Sequence, residues 1–269
     1  FGTIKENGYR QFNTAYIEIP KKMGKQVSLD TLIPTPDGFT TMGEIQPGDT
    51  VFDEHGNPCH VVAKSPVDYA EQAYRITFKD GQVIEAGERH QWSGEYTRGK
   101  RKSCVITTGE MYRLPRDGGT FRFRIAVADA IRAPEKTLPV HPYLMGYWLG
   151  NGNATEGCFR DKKIPIEYLR SSYEQRLELL QGLMDSDGAI SDRKGQAIYT
   201  STEKALAESV GELLWSLGIK NAITQADSTQ RIDWSQKSCE CGRKATGETL
   251  YYVKFTAFDD MPIAGLTRK

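Results

Sequence analysis

Two short apolar segments that share one sequence pattern constrain the fold of this chain most strongly. The first is LMGYWLGNG (Leu144–Gly152) and the second is LQGLMDSDG (Leu180–Gly188). In each, an apolar stretch containing glycine ends at an amide or acidic residue followed by another glycine, a pattern typical of a helix C-terminus. Because glycine lets two backbones approach closely, we expect both segments to form helices that pack against each other.

The two segments resemble the paired motif of the LAGLIDADG homing endonucleases, and Lys163-Ile164-Pro165 resembles the block between the two copies. In that family the eighth residue of each copy contributes to a pair of divalent metal ions shared between the helices. The resemblance therefore implies a metal site at Asn151 and Asp187, with Mg²⁺ as the cofactor and Lys163 as a further catalytic residue. The alternative is a pair of amphipathic core helices without chemistry, which the paired occurrence disfavours.

Three departures from the endonuclease pattern predict lost DNA cleavage. Asn151 is a neutral amide, a poor ligand for Mg²⁺, where the motif has a carboxylate. Only 24 residues (153–176) separate the first motif from the second motif helix, whereas a half-domain of four strands and two helices needs roughly 65. Residues 141–269 carry 16 basic and 17 acidic residues, so this region has no excess positive charge to neutralise phosphates. We expect weak contact with double-stranded DNA.

The preceding residues, 26–137, have a different character. Short apolar runs alternate with Pro-Asp-Gly, Pro-Gly-Asp and Glu-His-Gly-Asn-Pro at roughly ten-residue spacing, which is typical of β-strands joined by turns. A further hairpin is predicted around Lys79-Asp80-Gly81. We therefore expect a mixed fold, an all-β module followed by an α+β LAGLIDADG-type endonuclease domain.

The β-rich region contains an ordered series of short motifs. The series runs Leu29-Asp30-Thr31 with Pro36-Asp37-Gly38, Gly43-Glu44-Ile45 with Gly48-Asp49, and Glu88-Arg89-His90-Gln91-Trp92. It resembles the N-terminal part of a Hint (hedgehog/intein) domain, and in an intein His90 is the block B histidine. Protein splicing needs a proton donor for the leaving amide nitrogen and a polarised scissile carbonyl, and histidine suits both roles. Trp92 has an alternative interpretation as a core aromatic.

The expected first residue of such an intein is Gln26, by the family spacing back from Asp30-Thr31. Glutamine has no thiol or hydroxyl, so it cannot perform the usual acyl shift. One subclass of phage inteins lacks the first cysteine and carries tryptophan two residues after the block B histidine, which is the position of Trp92 in this chain. In that subclass an internal cysteine near the C-terminus of the intein attacks the upstream peptide bond. An alternative start is Ser28, which has a hydroxyl but shortens the family spacing.

Residues 1–25 are the one basic segment, with five basic and two acidic residues. A predicted strand leads to Gly24-Lys25, as in a phosphate loop, but Ile19 and Gln26 stand where glycine and Ser/Thr belong. The segment resembles the deviant phosphate loop of phage terminase large subunits, and its alternative is a lysine-rich turn. An insertion directly after Lys25 explains both the broken loop and the start at Gln26.

The five cysteines are an odd number at scattered positions, which favours reduced thiols. Cys239 and Cys241 fit free thiols in a hairpin loop better than a zinc knuckle. The chain carries 35 basic and 35 acidic residues, which argues against a whole-surface nucleic-acid binder. No apolar run reaches the roughly 18 residues of a membrane span, and we expect a cytoplasmic protein of phage or prophage origin.

These observations predict three domains: a host terminase fragment (1–25), the N-terminal part of a Hint splicing domain (26–137) and a reduced endonuclease domain (138–269). The predicted function is self-processing: cleavage of the Lys25–Gln26 bond and ligation of the flanking host segments, without a cofactor. No histidine follows His141 and Asn221 is the only asparagine after residue 200, so we expect a missing C-terminal part as partner. The alternatives are an active LAGLIDADG endonuclease with a relic Hint domain and, more weakly, a terminase ATPase fragment.

Overall fold

The computed structural model describes residues 27–64, 67, 72–78, 81–98, 100–113, 123–151, 162–190, 196–227, 249–257 and 261–263. The predictions for Lys25, Gln26 and the rest of the leader, and for Cys239 and Cys241, lie outside the described residues. Within the described part, no helix is both long and apolar enough to cross a membrane.

The described residues of the N-terminal module form nine short strands and one helix, and the strands are arranged as separate small antiparallel sheets. The pairs are β1 with β2, β3 with β4 and β5 with β6, and the fourth sheet has the order β8-β7-β9. The strands are β1 (Leu32–Thr35), β2 (Gly38–Thr41), β3 (Thr50–Phe52), β4 (Pro58–His60), β5 (Ala73–Thr77), β6 (Val83–Gly87), β7 (Gln91–Arg98), β8 (Lys100–Thr107) and β9 (Phe123–Arg124).

One apolar cluster of the N-terminal module surrounds the segment that was predicted to carry chemistry. Ile84 and Ala86 of β6 and Trp92 of β7 are buried together, because alternate residues of a strand face the same side of its sheet. β5 and β6 form the predicted hairpin, with Ile76 opposite Ile84.

Helix α1 (Thr108–Arg113) departs from the all-β expectation for this module. Its first turn is held by reciprocal hydrogen bonds. The Thr107 backbone N–H donates to Glu110 Oε2 (2.7 Å), and the Glu110 backbone N–H donates to Thr107 Oγ1 (3.1 Å). This is a capping arrangement that a threonine followed three residues later by glutamate can form, and it makes a helix of six residues stable at the end of a strand.

The C-terminal module combines four helices with one antiparallel sheet of order β10-β11-β13-β12. Its elements are α2 (Pro142–Asn151), α3 (Ile166–Leu169), α4 (Tyr173–Asp187), β10 (Gly188–Ile190), β11 (Gln196–Ser201), α5 (Lys204–Ser216), β12 (Asn221–Asp227) and β13 (Thr249–Thr256). One large apolar core joins the helices to the sheet, with Leu179, Leu183, Val210 and Val253 completely buried. Between α2 and α4, the described residues 162–172 form the short α3 and no strand.

Both repeated segments form helices that pack against each other, as the glycine pattern predicts. A Cβ added at Gly146 of α2 would overlap the carbonyl oxygen of Leu179, and one at Gly182 of α4 would overlap the carbonyl oxygen of Tyr143. The two backbones are therefore in direct contact, and only glycine fits at these positions.

An extended segment, the connector (residues 125–141), joins the two modules and contacts both. The Asp129 and Arg132 N–H groups donate to the carbonyls of Glu54 (3.0 Å) and Gly56 (2.8 Å), and the Ile131 N–H donates to the Ser216 carbonyl (2.8 Å). Pro142 and Tyr143 form the first turn of α2. Proline is well suited to a first helical position because the N–H it lacks has no helical partner there.

Candidate functional sites

His90 lies in the turn between β6 and β7, and its side chain is in the interior. Its backbone N–H donates to the Gly87 carbonyl (3.1 Å), which closes the turn. His90 is 2% exposed, whereas His55, His60 and His141 are all exposed. Of the four histidines in the chain, His90 alone is therefore placed in a desolvated environment, where a proton donor acts without competition from bulk water.

Trp92 lies against His90, with ring centroids 4.5 Å apart and an interplanar angle of 57°. It is 3% exposed, and its other face meets the Phe78 ring edge-on at 6.2 Å. The indole N–H donates to Thr108 Oγ1 at 2.9 Å, which satisfies the buried donor. Trp92 is therefore a core aromatic residue and at the same time the ring neighbour of His90.

Thr108, the first residue of α1, is a member of this site that the sequence analysis missed. Its backbone N–H donates to the His90 carbonyl at 2.9 Å, and its hydroxyl accepts from Trp92. The available signal was Thr107-Thr108-Gly109-Glu110, a capping pattern that predicts a helix start after β8.

The first described residues run beside this site. Val27 forms an antiparallel bridge with Ala86 of β6, and the Ser28 N–H donates to the Glu85 carbonyl (3.0 Å). The Ser28 hydroxyl donates to the Asp30 carboxylate. The chain thus enters the N-terminal module along β6, the strand that leads directly into the His90 turn.

The two cysteines in the described residues, Cys59 and Cys104, are free thiols. Burial raises the pKa of the Cys59 thiol, and the negative charges of Asp53 and Glu54 raise it further. A raised pKa reduces the thiolate fraction, so Cys59 is poorly suited to nucleophilic attack in this environment.

A second candidate site is a cleft of about 490 Å³ in the C-terminal module. Asn151 at the end of α2 and Asp187 at the end of α4 both line it, so the two predicted metal positions share one cleft. The Asn151 amide donates to the Tyr147 hydroxyl at 3.3 Å. Asp187 is therefore the one carboxylate that the two motif positions supply.

Other residues complete the cleft. Lys162 lines it, whereas the predicted Lys163 is exposed and is not among the lining residues. Tyr199 lines it from β11, and burial, together with the charge of Asp187, raises the pKa of its hydroxyl. Glu203 adds a carboxylate from the residue before α5. Among the described residues, no group of three or more His, Cys, Asp or Glu side chains is arranged to hold a metal ion.

Comparison with known families matches residues 174–241 to the LAGLIDADG-like domain. The match begins in α4 and includes the second repeated segment, Leu180–Gly188. The first segment, Leu144–Gly152, lies outside the matched residues.

Two replicative DNA helicases are similar in sequence to this chain. The DnaB helicase of Mycobacterium intracellulare is 33% identical in an alignment 287 residues long that covers 87% of this chain and 47% of that protein. The DnaB helicase of Mycobacterium leprae (strain TN) is 40% identical over 87 residues, 32% of this chain and 14% of that protein. This chain therefore spans less than half the length of either relative, and neither relative supports the predicted terminase host or phage origin.

Two crystal structures of the MchDnaB-1 intein, one of them of the N145AA form, are also similar. They are 35% and 34% identical to this chain, cover 38% of it and 68% of the intein chain, and superpose with TM-scores of 0.30 and 0.29. The sequence identity extends over two thirds of that intein chain, and residues 174–241 match the LAGLIDADG-like domain. This chain belongs to the intein family and carries a LAGLIDADG-like endonuclease domain.

Proposed function

We propose that this chain is the catalytic part of a self-splicing protein, which cleaves the Lys25–Gln26 bond and joins the flanking host segments. The observation that carries the proposal is the position of His90. It is the one buried histidine of the chain, it contacts Trp92, and it directly follows the strand along which Val27 runs. Val27 is bridged to Ala86, which lies four residues before His90 in the sequence.

In the proposed reaction a cysteine thiolate from a C-terminal splicing segment attacks the Lys25 carbonyl carbon. The Lys25–Gln26 C–N bond breaks, and the Lys25 acyl group forms a thioester with the attacking sulfur. His90 donates the proton that the departing Gln26 nitrogen needs, a role typically worth roughly 10²- to 10⁴-fold in rate. The hydroxyl of the first downstream host residue then takes the acyl group as an ester, and the cysteine thiol leaves. Cyclisation of the last asparagine of the intein breaks its peptide bond to that host residue, and the freed amine displaces the ester oxygen to form the peptide bond that joins the host segments.

We propose a replicative DNA helicase as the host, in place of the terminase that the leader resembles. Gly24-Lys25 has the sequence of a phosphate-loop end, and both named relatives are replicative helicases. Splicing after Lys25 would rejoin this lysine to the Ser or Thr that such a loop requires.

We further propose that the endonuclease domain does not make specific double-strand breaks. Asn151 occupies one of the two motif positions in the cleft, and no strand occurs among the described residues between α2 and α4. An active endonuclease is the second candidate function, and the observation in its favour is that Asp187 and Glu203 both line the cleft.

The test of splicing is expression of the full reading frame with both host flanks. We expect two products, a ligated host protein and an excised protein whose first residue is Gln26, identified by mass spectrometry. Unprocessed precursor as the sole product would contradict the proposed function. An excised protein that starts at Ser28 would contradict the proposed boundary.

A further inference from the structure

A single threonine connects the two residues at the centre of the candidate splicing site. Thr108 is 2% exposed, and its hydroxyl accepts a hydrogen bond from the Trp92 indole N–H at 2.9 Å and donates one to the His90 carbonyl at 3.4 Å. Its backbone N–H donates to the same His90 carbonyl at 2.9 Å. One residue thus holds the backbone of His90 and the side chain of Trp92 together.

The rest of α1 reinforces this arrangement from the same side. The Gly109 N–H donates to the Glu88 carbonyl at 2.9 Å, and the Arg113 guanidinium pairs with the Glu88 carboxylate. The turn that carries His90 is therefore attached to α1 at residues 88 and 90. These bonds to the turn involve different groups from the cap that Thr107 and Glu110 form in the first turn of α1.

The hydroxyl matters because both of its partners are buried. In a variant that lacks the Thr108 hydroxyl, the buried Trp92 indole N–H has no acceptor. The indole then lowers its energy by tilting toward another acceptor. The His90 ring lies 4.5 Å from the Trp92 ring, so a tilt of the indole moves or frees the imidazole. Proton transfer depends steeply on placement, and a displacement of about 1 Å can cost roughly 100-fold in rate.

We propose that Thr108 is a positioning residue of the splicing reaction, whose hydroxyl fixes the orientation of the Trp92 indole and, through it, the His90 imidazole. This inference rests on the proposed function. In this proposal Thr108 takes no part in the bond changes and acts through Trp92 and His90.

The test uses the full-length precursor and a pair of substitutions at one position. Thr108→Val removes the hydroxyl at nearly constant volume, and we expect the rate of N-terminal cleavage to fall roughly 10- to 100-fold. Thr108→Ser keeps the hydroxyl and loses only a methyl group, so cleavage should stay within about three-fold of the parent rate. Rescue by serine identifies the hydrogen bonds, and not the volume of the side chain, as the cause.

Thr107→Val is the matched control. It removes the neighbouring hydroxyl, which contacts the first turn of α1 and neither ring. We expect it to lower the melting temperature by weakening the cap while cleavage proceeds at the parent rate. Equal losses of rate for Thr107→Val and Thr108→Val would overturn the inference, because a general weakening of α1 would then explain both.

A double-mutant cycle with Trp92→Phe, which deletes the indole N–H, gives a second readout. If the two groups act as one unit, Thr108→Val slows the Trp92→Phe precursor by less than about two-fold. Fully multiplicative effects would overturn the inference. If the parent precursor cleaves and the Thr108→Val precursor cleaves equally fast, the inference about Thr108 is overturned and the proposed function stands. If the parent precursor never cleaves, the proposed function itself is contradicted.

Discussion

The guanidinium of Arg176 in α4 donates a hydrogen bond to the backbone carbonyl of Ile131 in the connector. Arg176 is completely buried, and it also donates to the carbonyls of Ser171 (3.0 Å) and Ser216. Burial lowers the pKa of this guanidinium to about 10, and the positive charge of Arg170 adds to that effect. A buried cation held by carbonyl groups thus ties helix α4, the end of α5 and the connector together.

Replacing Arg176 should be costly for this reason. We expect Arg176→Leu to lower the free energy of unfolding by about 3–5 kcal/mol, since several buried carbonyls lose their donors at once. Arg132 of the connector is exposed, and Arg132→Leu should change stability by less than about 0.5 kcal/mol. Urea denaturation of the purified chain measures both. Equal stability of the two variants would show that Arg176 has no such role.

Close contact between the two motif helices gives a second prediction. Gly182→Ala should lower the free energy of unfolding by about 2–3 kcal/mol, because the new Cβ meets the backbone of α2. Gly211→Ala in α5 is the matched control, since the nearest atoms to its Cβ belong to side chains and not to backbone, with Ile223 Cδ1 at 3.1 Å and Asn221 Oδ1 at 3.2 Å. The gain of about 1 kcal/mol in helix propensity applies to both substitutions. If both variants prove equally stable, α2 and α4 are not in backbone contact.

The helix pair was predictable because its signal is local: glycine recurs on the face of each segment that must approach the other. The strands beside His90 were predictable for a similar reason, since β-branched residues and turn residues alternate there at short range. The signal of α5 (Lys204–Ser216) is local as well, because its buried residues Leu206, Val210 and Leu213 recur at helical spacing.

Thr108 and Arg176 were not predictable in the same way. Thr108 meets Trp92 and His90 across 16 and 18 residues of chain, and no local pattern specifies that contact. From the sequence, Arg176 is expected on the polar face of an amphipathic helix. It is buried because the connector and the end of α5 pack over it. Contacts between distant segments depend on the whole fold, and single-sequence patterns do not encode them locally.

The endonuclease proposal predicts no linear product when the purified protein is incubated with Mg²⁺ and a plasmid carrying the uninterrupted host gene. Low salt is the most permissive condition, since electrostatic attraction to DNA is then strongest. Asn151→Asp restores a carboxylate in the cleft that Asp187 also lines. We expect it to remain inactive, because no DNA-reading strand occurs among the described residues between α2 and α4. Linear DNA from the parent protein would contradict the proposed loss of activity. Cleavage by Asn151→Asp alone would identify the metal site as the defect.

The connector should also show a weak dependence on pH through His55. A hydrogen bond to Asp129 (3.1 Å) raises the pKa of His55, and the charges of Glu54, Asp129 and Asp53 act in the same direction. Because the pKa of His55 is higher in the folded protein than in the unfolded chain, the protonated side chain stabilises the fold at pH values below the unfolded-state pKa. This stabilisation is lost as the pH rises through the folded-state pKa. His55→Gln should therefore melt at a lower temperature than the parent near pH 5 and at the same temperature near pH 9, as followed by circular dichroism. A constant difference across this range would rule out the ion pair as its source.

The most direct test of the central claim is intact-mass spectrometry of the full-length precursor with and without the His90 imidazole. We predict that the parent cleaves between Lys25 and Gln26, that His90→Ala remains uncleaved with a rate reduced by at least about 100-fold, and that His60→Ala, at an exposed histidine, cleaves like the parent. Cleavage of His90→Ala at the parent rate would contradict the account, because the one buried histidine would then have no part in the reaction.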